Sequence, residues 1–338
     1  LGIGLAVGLV LIAKVYFEQS YDDFYPDRDR VYQVWAKYQQ NGGELKDYPQ
    51  TSGGIAPTMQ QQIPEIETVT RYTSFGDWTF TMTDTKMKYS GRCIIADSCF
   101  FDILPRPMLI GNAKEVLSTP MYVLISSRIA KNIGGDVIGK NFTVDSSPGR
   151  TMTIGGVFEE VPENSHSRYD VIVSMASAGR FMWEGSPTNM LGNDRYISYV
   201  KLHKGVNPLA LEEQVHTFVN SYFPPEEQQK TGFNIGFSFH ELDGLHKELP
   251  QVKRMTWILS LLAFALIFTA VMNYILIVIS SIVNRSKEVA VHKCYGASEN
   301  NIHGMMFGEA LVHIVLSLIL ALLLILAFRG TVEELLAT

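Results

Sequence analysis

The sequence lacks the short motifs that mark most catalytic and nucleotide-binding proteins. It contains no phosphate loop of the G-x-x-x-x-G-K-[ST] type, no G-x-S-x-G nucleophile turn, no H-E-x-x-H metal motif and no G-x-G-x-x-G dinucleotide fingerprint. No block of lysine and arginine resembles a nucleic-acid binding stripe, and the net charge is −6. We therefore expect no catalytic residue, no bound cofactor and no nucleic-acid partner.

Cysteine is also scarce, with only Cys93, Cys99 and Cys294 in the chain. Three cysteines at these spacings form no metal motif, so we expect no metal site. Cys93 and Cys99 are close enough in sequence to allow a disulfide. The setting of Cys93 between Arg92 and Ile94, in an apolar strand-like segment, favours two separate buried thiols instead.

Charge is missing or rare in three stretches of the chain. Residues 1–13 and 255–283 carry none, and residues 302–328 are apolar apart from His303, Glu309 and His313. A bilayer core of roughly 30 Å requires about 20 apolar residues in a helix. The second and third stretches meet that length and predict membrane-spanning helices at 255–283 and 302–328.

The first stretch is too short to span a membrane as it stands. A secretory signal peptide is the alternative, but the stretch begins at Leu1 without Met or a basic region and has no cleavage context. It continues through Lys14, which can extend to the membrane interface, to the aromatic Tyr16 and Phe17. We interpret residues 1–17 as the outer part of a membrane helix whose beginning is missing, so that the chain is a fragment.

Residues 18–253 have the mixed composition of a globular domain. Strands are predicted where residues alternate between two faces or where Thr, Tyr and Ile are enriched. These segments are RVYQVWAKYQ, TVTRYTSF, DWTFTMTD, KMKYSGRCIIA and YISYVKLH. A Ser-Ser-Pro-Gly turn predicts a hairpin in FTVDSSPGRTMTIGGVFEEV. Helices are predicted after Gly54, with Pro57 in the first turn, around VLIS within 113–134, and in PLALEEQVHTFVNSYF. The interleaving of both element types predicts a mixed α+β domain.

A short amphipathic segment, 285–296, separates the second and third apolar stretches. Its pattern predicts a helix that ends at Gly296 and lies along the membrane surface, and its simplest interpretation is an interfacial connector. Arg285, Lys287 and Lys293 place this short loop in the cytoplasm by the positive-inside rule and the large domain on the other side. Basic residues before the second stretch weaken that inference, although long loops largely escape the rule.

Polar residues within the apolar stretches are costly in a bilayer, so each is a candidate functional residue. Asn273 lies in the middle of the second stretch, and Glu309 and His313 lie four residues apart in the third. They fit either a proton or ion path or hydrogen bonding between helices. We favour the structural interpretation and expect Glu309 near the cytoplasmic interface.

His166, in the run ENSHS near Asp170, resembles part of a catalytic triad. Proximity in sequence is not triad geometry, however, and a histidine in a loop is more often solvated or capping. We therefore do not expect catalysis at this position.

The run NRSKEVAVHKCYGASENNIHGMMFGEALV resembles the loop and third helix of FtsX/MacB-type permeases, whose pattern is approximately R-x-K-E-[IV]-x-[IV]-x-K-x-x-G-A followed by an early Glu. The matching positions are Arg285, Lys287, Glu288, Lys293, Gly296, Ala297 and Glu309, and Asn273 matches an Asn common in the preceding helix. The large domain resembles the MacB periplasmic core domain. This likeness is carried by SYDDFYPDRDRVYQV, IPEIETVTR, ADSCFFDIL, GVFEEVPENSHSRYDVIVS and YVKLHKG.

The resemblance implies a permease subunit of an ABC transporter of the mechanotransmission kind, which exports or extracts a substrate. The family has four membrane helices with the large domain between the first two, so residues 329–338 would begin an extracytoplasmic loop. ATP and Mg would be bound by a separate cytoplasmic ATPase, and this chain would not be an enzyme. Segment 285–296 would then be the coupling helix that contacts this ATPase through Arg285, Lys287, Glu288, His292, Lys293 and Gly296.

The implied location is the bacterial inner membrane, with the domain in the periplasm. The implied partners are a second permease copy or half, membrane lipid and, in some relatives, a periplasmic adaptor. A membrane receptor whose outer domain binds a ligand is the alternative function. A receptor of that kind has two spans followed by a cytoplasmic signalling domain, whereas this chain re-enters the membrane at once, which disfavours the alternative.

Overall fold

The structure is a computed structural model that describes residues 1–147, 149–192, 194–284, 291 and 299–337. The chain divides into two compact units. The membrane unit comprises Leu1–Tyr21 and His246–Thr338, and the globular domain comprises Asp22–Leu245. The division agrees with the contrast in composition between the apolar stretches and the sequence between them.

The membrane unit contains, among the described residues, three helices that are long and apolar enough to cross a membrane. We call Gly2–Gln19 the first, Pro250–Asn284 the second and Glu299–Ala327 the third membrane helix. Each overlaps an apolar stretch identified in the sequence. A further helix, Arg329–Ala337, follows where a loop is predicted.

Glycines in the first membrane helix allow close contact with its neighbours. A Cβ added at Gly4 would lie 2.8 Å from the Cβ of Ala270, and one at Gly8 would lie 2.7 Å from Cγ1 of Ile267, both on the second membrane helix. Small residues at such positions let helix backbones approach each other, which is how van der Waals contact holds helices together in lipid. The first and second membrane helices are therefore tightly packed.

The described part of the globular domain contains eleven strands in one sheet. They are β1 Val31–Gln40, β2 Lys46–Tyr48, β3 Ile66–Met82, β4 Lys88–Ala96, β5 Met108–Ile110, β6 Tyr122–Ser126, β7 Asn141–Val144, β8 Thr151–Phe158, β9 Val171–Ser174, β10 Ile197–Leu202 and β11 Phe233–Glu241. The order is β11-β1-β10-β3-β4-β9-β6-β8-β5, with β2 on β1 and β7 on β3 and β8. Most pairs are antiparallel, but β4 with β9 and β6 with β8 are parallel.

Helices cover the sheet. The α-helices of the domain are Ile55–Gln62, Phe100–Ile103, Ala113–Ser118, Ser127–Ile133, Ala178–Phe181, Glu212–Tyr222 and Pro225–Thr231, and a one-turn helix, Gly244–Lys247, follows β11. The 3-10 turns are Arg28–Arg30, Met175–Ser177 and Pro208–Leu211. Helices Ile55–Gln62 and Glu212–Tyr222 share one buried cluster with β1 and β10, to which Met59, Val200 and Phe218 contribute.

Two local predictions differ from the structure. TVTRYTSF and DWTFTMTD form one strand, β3, rather than two, because the Gly76 region, with φ +71°, makes an irregularity in the pairing with β4 and not a turn. The apolar VLIS segment is strand β6, with the predicted short helices on either side of it. The other predicted strands, the β7–β8 hairpin and the helix that contains Pro57 are confirmed.

Candidate functional site

A buried polar cluster lies at the end of the first membrane helix, just before the chain enters the globular domain. The Glu18 side chain, in a residue only 5% exposed, accepts from Lys14 Nζ at 2.8 Å and lies 2.6 Å from His246 Nε2. Lys14 is one helical turn before Glu18, whereas His246 belongs to the segment that returns from the domain. The cluster therefore bonds the outgoing segment of the chain to the returning one.

Aromatic rings complete this arrangement. The rings of Tyr21 and His246 stack with centroids 3.5 Å apart and an interplanar angle of 9°, and Phe17 meets Tyr21 edge-on at 5.7 Å. We call Lys14, Glu18, Tyr21 and His246 the junction cluster. The sequence interpretation of Lys14 as an interfacial residue misses its pairing with Glu18, although the four-residue spacing of opposite charges was a usable signal.

A second buried network lies inside the globular domain around His166. Its Nδ1 is 2.6 Å from a carboxylate oxygen of Asp22, which is fully buried, and its Nε2 is 3.1 Å from the Ser167 hydroxyl and contacts the Tyr199 hydroxyl. Asp22 also accepts from the Ser165 hydroxyl at 2.8 Å. The first residue of the domain is thereby attached to the loop before β9.

The His166 network has the order carboxylate, imidazole, hydroxyl, but its surroundings do not suit catalysis. Ser167 is 3% exposed, and its hydroxyl also bonds the Tyr72 hydroxyl at 2.7 Å. Burial raises the pKa of Tyr72 to about 12, so this hydroxyl stays protonated. A nucleophile has to be reachable by its substrate, so the geometry supports a structural role.

Asp170, the carboxylate that the sequence places near His166, lies elsewhere. Its side chain accepts from Arg128 Nη2 at 2.6 Å and from the backbone N–H of Arg92 at 3.0 Å. The acid that reaches His166 is Asp22, which is 144 positions away along the chain. No local sequence pattern carries that information.

The two cysteines of the domain are separate thiols, as predicted. Cys93 is buried and Cys99 partly buried, with its sulfur 3.1 Å from the carbonyl oxygen of Val69. Burial raises the pKa of both thiols, which keeps them protonated and unreactive. Among the described residues no group of three or more His, Cys, Asp or Glu side chains could hold a metal ion.

The polar residues predicted within the membrane occupy neighbouring helices. His313 Nδ1 bonds the backbone oxygen of Glu309 at 2.8 Å, within the third membrane helix. The Tyr274 hydroxyl donates to the Ala310 carbonyl at 3.5 Å, and its ring lies 6.2 Å from that of His313. Tyr274 follows Asn273 directly in the second membrane helix. The predicted ATPase-coupling residues Arg285, Lys287, Glu288, His292, Lys293 and Gly296 lie outside the described residues.

Comparisons with known proteins match both units. Residues 1–218 match the MacB-like periplasmic core domain family, and residues 260–337 match the FtsX-like permease C-terminal family. No curated protein has a significantly similar sequence.

Solved structures match between 61% and 64% of the chain. A crystal structure of a domain of a protein assigned as a permease from Porphyromonas gingivalis is 33% identical, with a TM-score of 0.58, and the match covers 64% of this chain and 91% of that one. The periplasmic region of MacB from Actinobacillus actinomycetemcomitans is 14% identical (TM-score 0.41; 61% and 87% covered). The extracellular domain of the ABC-type transporter YknZ from Gram-positive bacteria is 10% identical (TM-score 0.41; 61% and 98% covered).

Proposed function

The chain belongs to the FtsX/MacB-type family of ABC transporter permeases, and we propose that it transmits mechanical work from a separate ATPase to its extracytoplasmic globular domain. In this proposal the ATPase binds on the cytoplasmic side of a bacterial inner membrane. Movement of the membrane helices then displaces the domain and drives export or extraction of a substrate. A second permease copy or half completes the transporter.

The observation that carries this proposal is the junction cluster. The chain passes between the two units twice, at residues 21–22 and 245–246. Glu18 bonds Lys14 on the first membrane helix and His246 on the returning segment. Separating the buried Glu18 carboxylate from Lys14 is costly, because it would leave a buried charge without its cation. The two connections therefore act as one mechanical element.

Coupling to the ATPase is assigned to segment 285–296. The helix that the sequence predicts for this segment would have about three turns, a length that suits a groove on a partner protein, and its Arg285, Glu288 and His292 face is polar in the sequence. The absence of a phosphate-loop motif in this sequence is consistent with a separate ATPase. We expect the polar face to contact that subunit, with Lys293 beside it.

The coupling proposal is tested with the full-length protein in the membranes of its own host. Glu288→Lys reverses one charge on the polar face, and Glu226→Lys makes the same change at an exposed position of the globular domain. We expect Glu288→Lys to abolish co-purification of the ATPase or its ATP turnover, and Glu226→Lys to preserve both. Unchanged co-purification and turnover in Glu288→Lys would contradict the coupling role of this face.

The junction cluster is tested separately. Glu18→Ala removes the shared carboxylate, and we expect the protein to reach the membrane and bind the ATPase while failing to complement a strain that lacks the permease. Lys253→Ala, which removes an exposed charge near the start of the second membrane helix, serves as the control. Full complementation by Glu18→Ala at normal abundance would show that the junction cluster does not transmit work.

A further inference from the structure

A cavity of about 510 Å³ lies in the globular domain, in the segment that leads to β10. Its lining side chains are Phe181, Met182, Trp183, Ser186, Asn189 and Arg195. The aromatic and thioether groups form an apolar surface, and Arg195 supplies a cation. A volume of this size, with a mostly apolar lining and a few polar groups, is typical of sites that bind small ligands.

Buried contacts hold the loop that forms this cavity in place. The Arg71 guanidinium, in a residue that is only 8% exposed, donates to the backbone carbonyl oxygens of Gly53 and Pro187. The Ser186 hydroxyl, which is also buried, bonds the Tyr196 hydroxyl at 2.9 Å. The cavity is therefore preformed, and a ligand would not have to order the loop in order to bind.

The arginines of the globular domain fall into two groups. Those that form ion pairs are Arg28, Arg30, Arg71, Arg106, Arg128 and Arg168. Those that form no ion pair with a described residue are Arg92, Arg150, Arg180 and Arg195.

Three arginines of the second group are associated with the cavity. Arg195 lines it, and the Arg150 guanidinium lies over the ring of Phe181, 5.3 Å from the ring centre. Arg180 directly precedes Phe181 in the chain and is exposed. A guanidinium that no carboxylate of the protein engages can bind the carboxylate or phosphate of a ligand through two parallel hydrogen bonds. These positions therefore favour a negatively charged ligand.

The acidic residues of the same segment offset only part of this positive charge. Glu184 is exposed at the position after Trp183. The Asp194 carboxylate accepts hydrogen bonds from the Ser52 hydroxyl at 2.6 Å and from the Tyr38 hydroxyl at 2.5 Å. Three guanidinium groups are thus balanced by two carboxylates, one of which is already engaged by hydroxyls of the protein.

We propose that this cavity binds a small amphipathic anion. An aromatic or other apolar body packs against Phe181, Met182 and Trp183, and a carboxylate or phosphate group binds the Arg195 guanidinium. Trp183 is 64% exposed, so a ligand that covers its ring would bury a large apolar surface. The inference goes beyond the proposed function, because it concerns a ligand of the globular domain and does not depend on coupling to an ATPase.

The test is calorimetric titration of the purified full-length protein in detergent with naphthyl phosphate, a small aromatic anion. Heats of titration into protein-free micelles are subtracted. Inorganic phosphate supplies the charge without the ring, and naphthylmethylammonium supplies the ring with the opposite charge. We expect naphthyl phosphate to bind about tenfold or more tightly than either of these compounds, because only naphthyl phosphate engages both the aromatic surface and the guanidinium.

Each other result of the titration would count against the proposal. Equal affinity for inorganic phosphate would show that the apolar surface takes no part, and equal affinity for naphthylmethylammonium would show that the site does not select an anion. Absence of binding by naphthyl phosphate would overturn the proposal as a whole.

Variants then locate the site. Arg195→Gln removes the guanidinium and Trp183→Ala removes the exposed ring, and each should weaken binding of naphthyl phosphate by about tenfold. Arg92→Gln is the matched control, because Arg92 is also exposed and forms no ion pair with a described residue. It lies on the face of β4 opposite Cys93, whose buried cluster packs against Phe181.

All three substitutions are at exposed positions, so the variants should fold. Arg92→Gln should bind naphthyl phosphate with the affinity of the unmodified protein. Unchanged affinity in either Arg195→Gln or Trp183→Ala, or an equal loss in Arg92→Gln, would overturn the placement of the ligand in this cavity.

Discussion

The globular domain and the membrane unit differ in how they satisfy their side chains. The domain buries large apolar residues in three clusters, and its buried charged residues, Asp22, Arg71, Asp170 and Lys201, each contact an imidazole or an opposite charge. In the membrane unit, the most apolar 18-residue segments of the first, second and third membrane helices are only 28%, 11% and 6% buried. The domain thus buries its apolar side chains against each other, whereas the described membrane helices leave most of theirs exposed.

Mutations are therefore expected to act differently in the two units. A core substitution in the domain leaves a cavity that its neighbours fill only in part, so the cost falls on folding. A substitution on an exposed face of a membrane helix changes contact with lipid or with a partner subunit, so the cost falls on assembly. Matched substitutions in the two units separate these effects.

The largest effect is expected for Phe→Ala at Phe100 in the domain, compared with Phe268 in the second membrane helix. Phe100 is fully buried, with Tyr72 and Tyr169 edge-on at 5.7 and 5.4 Å, so Phe100→Ala should lower the free energy of unfolding by about 3–5 kcal/mol. Phe268 is 55% exposed, and Phe268→Ala should not shift thermal unfolding of the full chain in detergent. Urea unfolding of a fragment of residues 20–245 measures the effect of Phe100→Ala. Equal destabilisation at both positions would remove the contrast between the units.

The next effect concerns the buried hydrogen-bond network around His166 in the domain. Asp22→Asn removes the charge that faces His166, while Asn tolerates the left-handed backbone at this position, where φ is +59°. We expect a loss of about 1.5–3 kcal/mol in the urea unfolding of residues 20–245, since hydrogen bonds to charged groups contribute that much.

Asp243→Asn provides the control for Asp22. Asp243 lies 3.2 Å from Arg28 at the surface, and an exposed pair of that kind contributes at most about 1 kcal/mol. If Asp22→Asn cost no more than Asp243→Asn, the His166 network would not stabilise the domain.

Packing within the membrane unit gives an effect of intermediate size. Gly4→Ala places a methyl group 2.8 Å from the Cβ of Ala270, which cannot rotate away, and we expect destabilisation of about 1–3 kcal/mol. Gly304→Ala is the control, because the described part of the chain places no atom within 4 Å of the added Cβ and Ala favours the helix. The midpoint of thermal unfolding in detergent should fall only for Gly4→Ala.

The features that could be predicted from the sequence are those that depend on residues close together along the chain. The apolar stretches, β1 and the β7–β8 hairpin follow from local composition and spacing, and each agrees with the structure. Strand β11 carried a readable alternation of Phe233, Ile235 and Phe237 that the sequence prediction missed. The contacts of Glu18 with His246 and of His166 with Asp22 join residues 228 and 144 positions apart, and only the fold brings these together.

The smallest effect comes from the ion pair of Lys201 and Asp27 in the globular domain. Lys201 Nζ lies 2.5 Å from the Asp27 carboxylate, and Arg30 Nε lies 3.0 Å from it. The hydrogen bond from Lys201, followed by that from Arg30, lowers the pKa of Asp27. A carboxyl group with a lowered pKa in the folded state stabilises that state above its unfolded pKa of about 3.9, and the stabilisation is lost as pH falls through the folded pKa.

Lys201→Met should therefore bring the pKa of Asp27 back toward its ordinary value and flatten the acid limb of the stability curve below about pH 4. The Asp27 side chain is about a third exposed and keeps Arg30, so the change should stay under about 1 kcal/mol at neutral pH. Lys204→Met removes an exposed charge a few residues away and should leave the acid limb unchanged. Urea unfolding of residues 20–245 between pH 2 and 7 measures both variants. An acid limb that is equally steep in Lys201→Met and in the unmodified domain would mean that other carboxyl groups determine it, because removing the nearest cation has to raise the pKa of Asp27 if that pair contributes.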